Sequence, residues 1–355
     1  METIVNNLFR LKKEPSKIAK VNLLKEFLKE ENFRIVVELA LDETMHYNIS
    51  KLLSNKPKKF TNFETEFSNL VSFLTFLSEK QGATQKEKAW LTEFAFDKNW
   101  EHVIKCIITK DLKCGVGAKL VNQAVEDTVT IFPYMRCSTS SKKDSIEYPA
   151  YVQVKENGLF VNIVYNKNKM TFLSRNGNEF IFPEQSFETE IKKYFPSTLK
   201  TNVYMGEFRV QIDGKWLPRK TSNGIVNKAL KKNQTISTGE SIRIHFICWD
   251  VIPLKDFWEG KCDIPYKERF KKLSFLSGIK NARVHLSKTW IINSFSEAQN
   301  IALELIENGE EGSIIKNFKA IWKNTTSTEQ IKLKAGDLGT DNEPHRKLLK
   351  TLKTG

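Results

Sequence analysis

Two textures divide the chain. Up to about residue 130 the apolar positions recur at helical spacing. Val21, Leu24, Phe27 and Leu28 share one face, as do Phe63, Phe67, Leu70, Val71, Leu74 and Leu77, with Gly82 as a stop. Further helical patterns cover Trp100–Thr109 and Val116–Val125, joined by Lys110-Asp-Leu-Lys-Cys-Gly115, and no strand alternation interrupts them. The small and charged residues of Cys137-Ser-Thr-Ser-Ser-Lys-Lys-Asp144 then break the pattern, which predicts a linker. Beyond it come short β-rich runs at Tyr151–Val154, Leu159–Tyr165, Met170–Leu173, Val203–Met205, Arg243–Trp249, Ser313–Lys316 and Gln330–Lys334. One helix is well signed among them. Ser294 and Glu297 form a capping-box pattern, Ala298, Ile301, Ala302, Leu305 and Ile306 make one apolar face, and Gly309 ends it. The expectation is an α+β multidomain chain. It has an all-α domain over 1–136, a linker over 137–147, an α+β domain of mainly antiparallel sheets over 148–335 and a basic tail over 336–355.

Composition narrows the class. With 40% hydrophobic residues in 355, the chain can bury real cores, which excludes a disordered tail or a disulfide miniprotein. No apolar run reaches the ~18 residues of a spanning helix, and Met1–Glu14 has no apolar signal segment, so no membrane association is expected. The 5 cysteines are scattered, with no C-x-x-C pair, and fit a reducing cytoplasm without a disulfide framework or zinc site. Lys+Arg exceed Asp+Glu by 56 to 42, a net charge of +14 that favours a polyanionic partner. Charge alone does not separate a nucleic-acid binder from an ordinary basic protein.

The chemistry-bearing residues come in a definite order. Lys155-Glu-Asn-Gly158 follows one strand and precedes another, where a lysine can project into a cleft beside a close-approaching backbone. A lysine becomes a nucleophile when desolvation or nearby cations favour its neutral amine; by itself the tetrapeptide reads as a surface turn. Then follow Ser174-Arg-Asn-Gly177, Gly206-Glu-Phe-Arg209, Phe246-Ile-Cys-Trp-Asp250, Glu311-Gly-Ser-Ile-Ile-Lys316 and Lys332-Leu-Lys334. The types are complementary: carboxylates for a cation, arginine and lysines for phosphates, an aromatic for a base. Each also has a plainer reading. Trp249 could be a core tryptophan and Lys316 an exposed strand lysine. Glu207 and Glu311 could be surface acids, and the shared face of Lys332 and Lys334 could be merely solvated.

Taken together, this series resembles the covalent nucleotidyltransferases, whose motifs run K-x-D-G, S-R-x-G, D-G-E, aromatic-Asp, E-G-x-x-x-K and K-x-K. The likeness is nearest to tailed-phage ATP-dependent DNA ligases. Lys110-Asp-Leu-Lys-Cys-Gly115, Leu173-Ser-Arg-Asn-Gly-Asn-Glu179, Thr221-Ser-Asn-Gly-Ile-Val-Asn-Lys228, Trp249-Asp-Val-Ile-Pro253 and Trp322-Lys-Asn324 extend it over nearly the whole chain to Lys334. The resemblance implies a nucleotidyltransferase (adenylation) domain in which Lys155 attacks the α-phosphate of ATP to form a lysyl–AMP intermediate. AMP then passes to the 5′-phosphate of a nick in double-stranded DNA, and the 3′-hydroxyl displaces it. Mg²⁺ would be held by Glu207 and Glu311, with the ribose as an alternative partner for Glu207. Arg175, Glu207, Trp249, Lys316, Lys332 and Lys334 would contact the nucleotide, Trp249 stacking on adenine and Arg175 reaching the nucleotide or the nick phosphate. The helical region would grip the duplex backbone, with Lys110, Lys113 and Lys119 as candidate DNA contacts. Implied further are a role in DNA repair and replication, a phage origin with action in the host-cell cytoplasm, and a monomer on DNA.

Three positions depart from the family pattern: Asn157 replaces its aspartate, Phe160 stands where phage ligases usually carry arginine, and Met205 precedes Gly-Glu in place of aspartate. Only 355 − 334 = 21 residues follow Lys334, too few for a five-stranded OB-fold, so a separate chain would supply that domain, the polypeptide is truncated, or it works poorly without the domain. The alternatives are an RNA ligase or other end-joining nucleotidyltransferase, and a non-catalytic ligase-derived protein that binds nicks or ends.

Overall fold

The computed structural model describes residues 2–49, 51–53, 67–80, 82–97, 100–183, 186–196, 201–230, 235–279 and 282–338. Phe63, cited above for a helical face, and residues 339–355 of the expected basic tail lie outside the described residues. The chain divides into two compact units, with the main break between Phe132 and Pro133.

The described residues of the first unit carry seven helices and no strand: α1 (Glu2–Lys13), α2 (Lys17–Phe27), α3 (Glu31–Leu41), α4 (Phe67–Lys80), α5 (Gln85–Asp97), α6 (Glu101–Ile108) and α7 (Ala118–Ala124). The expected faces are the buried ones. Leu24 and Phe27 of α2 and Leu70, Leu74 and Leu77 of α4 join one core with Phe33, Val36, Val103 and Ile107. After α6 the chain reverses through Lys110, Lys113 and Gly115, all in the left-handed region.

The second unit holds thirteen strands among the described residues: β1 (Arg136–Ser138), β2 (Ala150–Val154), β3 (Leu159–Asn166), β4 (Lys169–Ser174), β5 (Asn202–Ile212), β6 (Lys215–Trp216), β7 (Ile244–Pro253), β8 (Lys261–Cys262), β9 (Val284–Leu286), β10 (Thr289–Ile292), β11 (Ser313–Asn317), β12 (Trp322–Lys323) and β13 (Thr326–Leu333). One sheet runs β1-β13-β11-β2-β10 and another β4-β3-β5-β7-β9, with β6 beside β5. Pairing is antiparallel as expected, except β1 with β13 and β7 with β9, which are parallel. Residues 137–147 correct the linker expectation. Cys137 and Ser138 lie in β1 against β13, and Ser140–Ser145 form a 3₁₀ turn, so the segment belongs to the second unit. Its small polar residues carry no strand signal of their own; pairing with β13 overrides local propensity.

Period-2 alternation separates core from cavity. In the first sheet Val152, Ile315, Ile331 and Leu333 pack against the helix Phe295–Glu307, whose Ser294 cap accepts from the Glu297 amide. In the second, Val161, Ile163, Tyr204, Phe208 and Phe246 form a separate core. The alternate residues of both sheets line one cavity of about 710 Å³.

Candidate active site

Lys155 leaves the end of β2 with its amide donating to the Gly312 carbonyl at 2.9 Å. Gly312 has φ +131°, and a Cβ there would come within 2.0 Å of the Leu333 carbonyl oxygen, so only glycine lets β13 approach this closely. That approach sets Lys155, Glu311 and Lys334 side by side at the ends of three neighbouring strands. The Lys155 ammonium donates to Glu311 Oε2 at 2.5 Å with 19% of its side chain exposed, and Lys334 pairs with Oε1 at 2.5 Å. Arg219 lies 3.5 Å from Oε2. Burial works against the Glu311 anion, but hydrogen bonds from Lys155 and Lys334 outweigh it and hold the carboxyl below the usual range.

Gly158 faces the same cluster from the loop before β3. Its amide donates to Glu207 Oε2 at 2.6 Å, and a Cβ would lie 2.4 Å from the Phe208 carbonyl oxygen, so the loop can pass only as glycine. Burial pushes the Glu207 carboxyl up to about 7; the Gly158 amide and the Lys155 and Arg219 cations oppose that rise, and Glu156 adds to it. Glu207 is therefore poised between acid and anion, whereas Glu311 is firmly ionised.

The far side of the cavity is aromatic and cationic. Trp249 is half-buried on its wall rather than sealed in the core, and its ring centroid is 6.0 Å from that of Phe160. Phe160 meets Tyr134 edge-on at 4.9 Å, and the Arg175 guanidinium lies over Tyr134 at 4.6 Å. Lys316 is buried, not an exposed strand lysine; its ammonium donates to the Tyr266 hydroxyl at 3.2 Å, and burial pushes it down to about 8 against the pull of Asp250 and Cys137. Behind Trp249, Asp250 is locked to the buried Arg269 at 2.8 and 3.0 Å. Lys332 and Lys334 both reach the cavity, alternating with buried Ile331 and Leu333.

The structure thus gathers Lys155, Arg175, Glu207, Trp249, Glu311, Lys316, Lys332 and Lys334 around one space. Sequence reasoning missed Tyr134, Asn162, Arg219 and the buried brace behind the site, in which Arg209 Nη1 donates to Glu156 at 3.1 Å and to both Glu310 oxygens at 3.1 Å. Asn162 had a signal, an amide flanked by apolar residues in mid-strand; the brace joins partners 53 and 101 residues apart and had none.

The helical unit holds the three remaining lysines. Lys110 corrects expectation: its ammonium donates to the carbonyls of Leu39 at 3.2 Å and Asp42 at 2.6 Å, closing the end of α3, and burial pushes it down to about 8. Its ammonium is spent on these backbone carbonyls. Lys113 and Lys119 are exposed, Lys113 pairing with Asp111 at 2.8 Å.

Among the described residues no helix is long and apolar enough to cross a membrane. A family model described as "ATP dependent DNA ligase domain" matches residues 135–334. The "DNA ligase" of enterobacteria phage T4 is 26% identical over 267 residues, covering 65% of this chain and 54% of that protein. The enzyme of phage T6 gives the same identity and coverage. The chain thus spans about half the length of the curated relatives it matches. A solved structure described as "Pmar-Lig_PreS3" shares the fold with a TM-score of 0.68 at 17% identity, over 93% of this chain and 77% of that one. With the family model spanning more than half of the chain and the cavity built from the matched segment, the protein belongs to the ATP-dependent DNA ligase domain family.

Proposed function

We propose that the chain seals nicks in duplex DNA through a lysyl–AMP intermediate on Lys155. One observation carries the reading: an amine in a cavity, paired to Glu311 and facing the cationic side chains of Arg175, Arg219, Lys332 and Lys334. Neutral Nζ attacks the α-phosphorus of ATP, the N–P bond forms, and the bond to the pyrophosphate oxygen breaks. The hydrogen bond to Glu311 Oε2 orients Nζ for that attack, and the proton Nζ loses passes to water. AMP then moves to the 5′-phosphate of the nick, and the 3′-hydroxyl displaces it to close the strand. Negative charge grows on phosphate oxygens at each step, which the lysines and arginines of the wall stabilise.

The residues fit Mg²⁺ as well. Among the described residues there is no group of three His, Cys, Asp or Glu, but magnesium is usually held by one or two carboxylates plus substrate phosphates. Ionised Glu311 suits it, and bound Mg²⁺ would neutralise charge on the phosphates. Glu207, near neutrality and fixed to Gly158, suits a ribose hydroxyl better than a metal. Trp249 offers a flat face to adenine, and Lys113 and Lys119 offer the helical unit's contacts to DNA phosphates.

The test is incubation with α-labelled ATP and Mg²⁺. The protein should take up an acid-labile, hydroxylamine-sensitive label, and Lys155→Ala should abolish it while leaving binding to nicked DNA within about twofold, as expected for a group that acts in covalent chemistry alone. Label retained by Lys155→Ala would place the nucleophile elsewhere, and no label on the unaltered chain would favour a binding protein.

A further inference from the structure

Asn162 is only 1% exposed, and neither its Nδ2 nor its Oδ1 has a hydrogen-bond partner among the described residues. A buried amide left unpaired is costly, and native proteins seldom keep one without a reason. Gln153, also buried on the cavity wall, shows the ordinary state: its Oε1 accepts from Tyr266 at 2.9 Å and its Nε2 donates to Thr289 at 2.9 Å.

The position of Asn162 supplies the reason. It sits on β3 opposite Met205 of β5, two residues beyond Phe160, so alternation turns it toward the cavity while Val161 and Ile163 enter the core. On this side of the cavity Phe160 and Trp249 meet at a 49° tilt with centroids 6.0 Å apart, presenting aromatic surface. A donor and an acceptor held side by side next to aromatic faces match the edge of a purine carrying an exocyclic amine beside a ring nitrogen. That is the pairing by which asparagine reads adenine.

We infer that Asn162 is a specificity-determining residue that reads the adenine edge of the bound nucleotide, Oδ1 accepting from the exocyclic amine and Nδ2 donating to the adjacent ring nitrogen. The inference rests on the ligase reading of the same cavity and adds to it the residue that recognises the base. On the same edge guanine presents two acceptors, so one half of the pairing would turn repulsive.

The experiment compares the full chain with its Asn162→Leu variant in Lys155 labelling. The probes are ATP and purine riboside triphosphate, which lacks the exocyclic amine. The unaltered chain should need about tenfold more of the analogue than of ATP for half-maximal labelling. Asn162→Leu should need about tenfold more ATP, and should treat ATP and the analogue alike. The free variant should melt at a higher temperature, since an unpaired amide has been replaced by an apolar group of similar size. If the leucine overfills the site, Asn162→Ala should show the same loss of discrimination. Equal preference for ATP over the analogue in the variants and the unaltered chain would overturn the assignment, leaving the amide a water-binding group. No labelling of the unaltered chain, with labelling of neither variant, would remove the underlying ligase reading instead.

Discussion

Replacing Arg209 by methionine removes the cation that braces the segments on either side of the candidate site. Arg209 is 7% exposed and joins Glu156, the neighbour of Lys155, to Glu310, the neighbour of Glu311. Without it, the partner left to Glu156 among the described residues is the Ser287 hydroxyl at 2.9 Å. Breaking a buried pair by removing one partner typically costs about 3–5 kcal/mol. The low end applies here, because Glu310 can turn to water and burial already raises the Glu156 carboxyl, so it can take up a proton. The expected loss is about 3 kcal/mol at pH 7, less at pH 5, where that proton comes more easily. Urea denaturation followed by tryptophan fluorescence measures it. Adding Glu156→Gln to Arg209→Met should recover about half, since no anion is then stranded. Lys155 labelling should fall in the single variant and return with stability in the double. A loss below about 1 kcal/mol, or strictly additive effects, would refute the brace.

His245 lies 2.9 Å from His285, and burial, then His285 and Arg283, bring it down to about 4 from 6.5. The unfolded chain therefore binds a proton below pH 6.5 that the folded chain refuses until about pH 4, so stability should fall as pH drops across that window. Allowing for partial exposure, the loss is about 2 kcal/mol, and His245→Gln should flatten the slope in denaturation curves taken from pH 7 to 4. Lys110→Met should cost about 1–2 kcal/mol of stability by stranding the α3 carbonyls, yet leave the salt dependence of DNA binding unchanged by anisotropy titration. Lys113→Gln should lower that salt slope by about 1 with little effect on stability. Gly158→Ala places a methyl against the Phe208 carbonyl, and should cost about 2–3 kcal/mol and most of the Lys155 labelling; a stable, active variant would show that the loop has room to move.

Local signals carried much of the fold. The alternation of β3 and β13 and the Ser294 cap are written in adjacent residues and appear where expected. So are the positions of the cavity-lining lysines and glutamates, because strand ends and glycine turns decide where such side chains point. What was illegible depends on partners far away in the chain. β1 is a strand only because β13 is beside it, and Lys110 looks like any basic loop residue until α3 presents its carbonyls. Phe160, conspicuous in the sequence as a missing arginine, packs against partners distant in the chain, Tyr134 and Arg175.

Glu311, gripped at one oxygen by Lys155 and at the other by Lys334, also gives the resting protein a built-in protecting group. Acyl phosphates and similar electrophiles in a cell must reach an amine to attack it, and this one is 19% exposed and held against a carboxylate. Stray acylation should therefore fall first on lysines at the water-facing surface and spare residue 155.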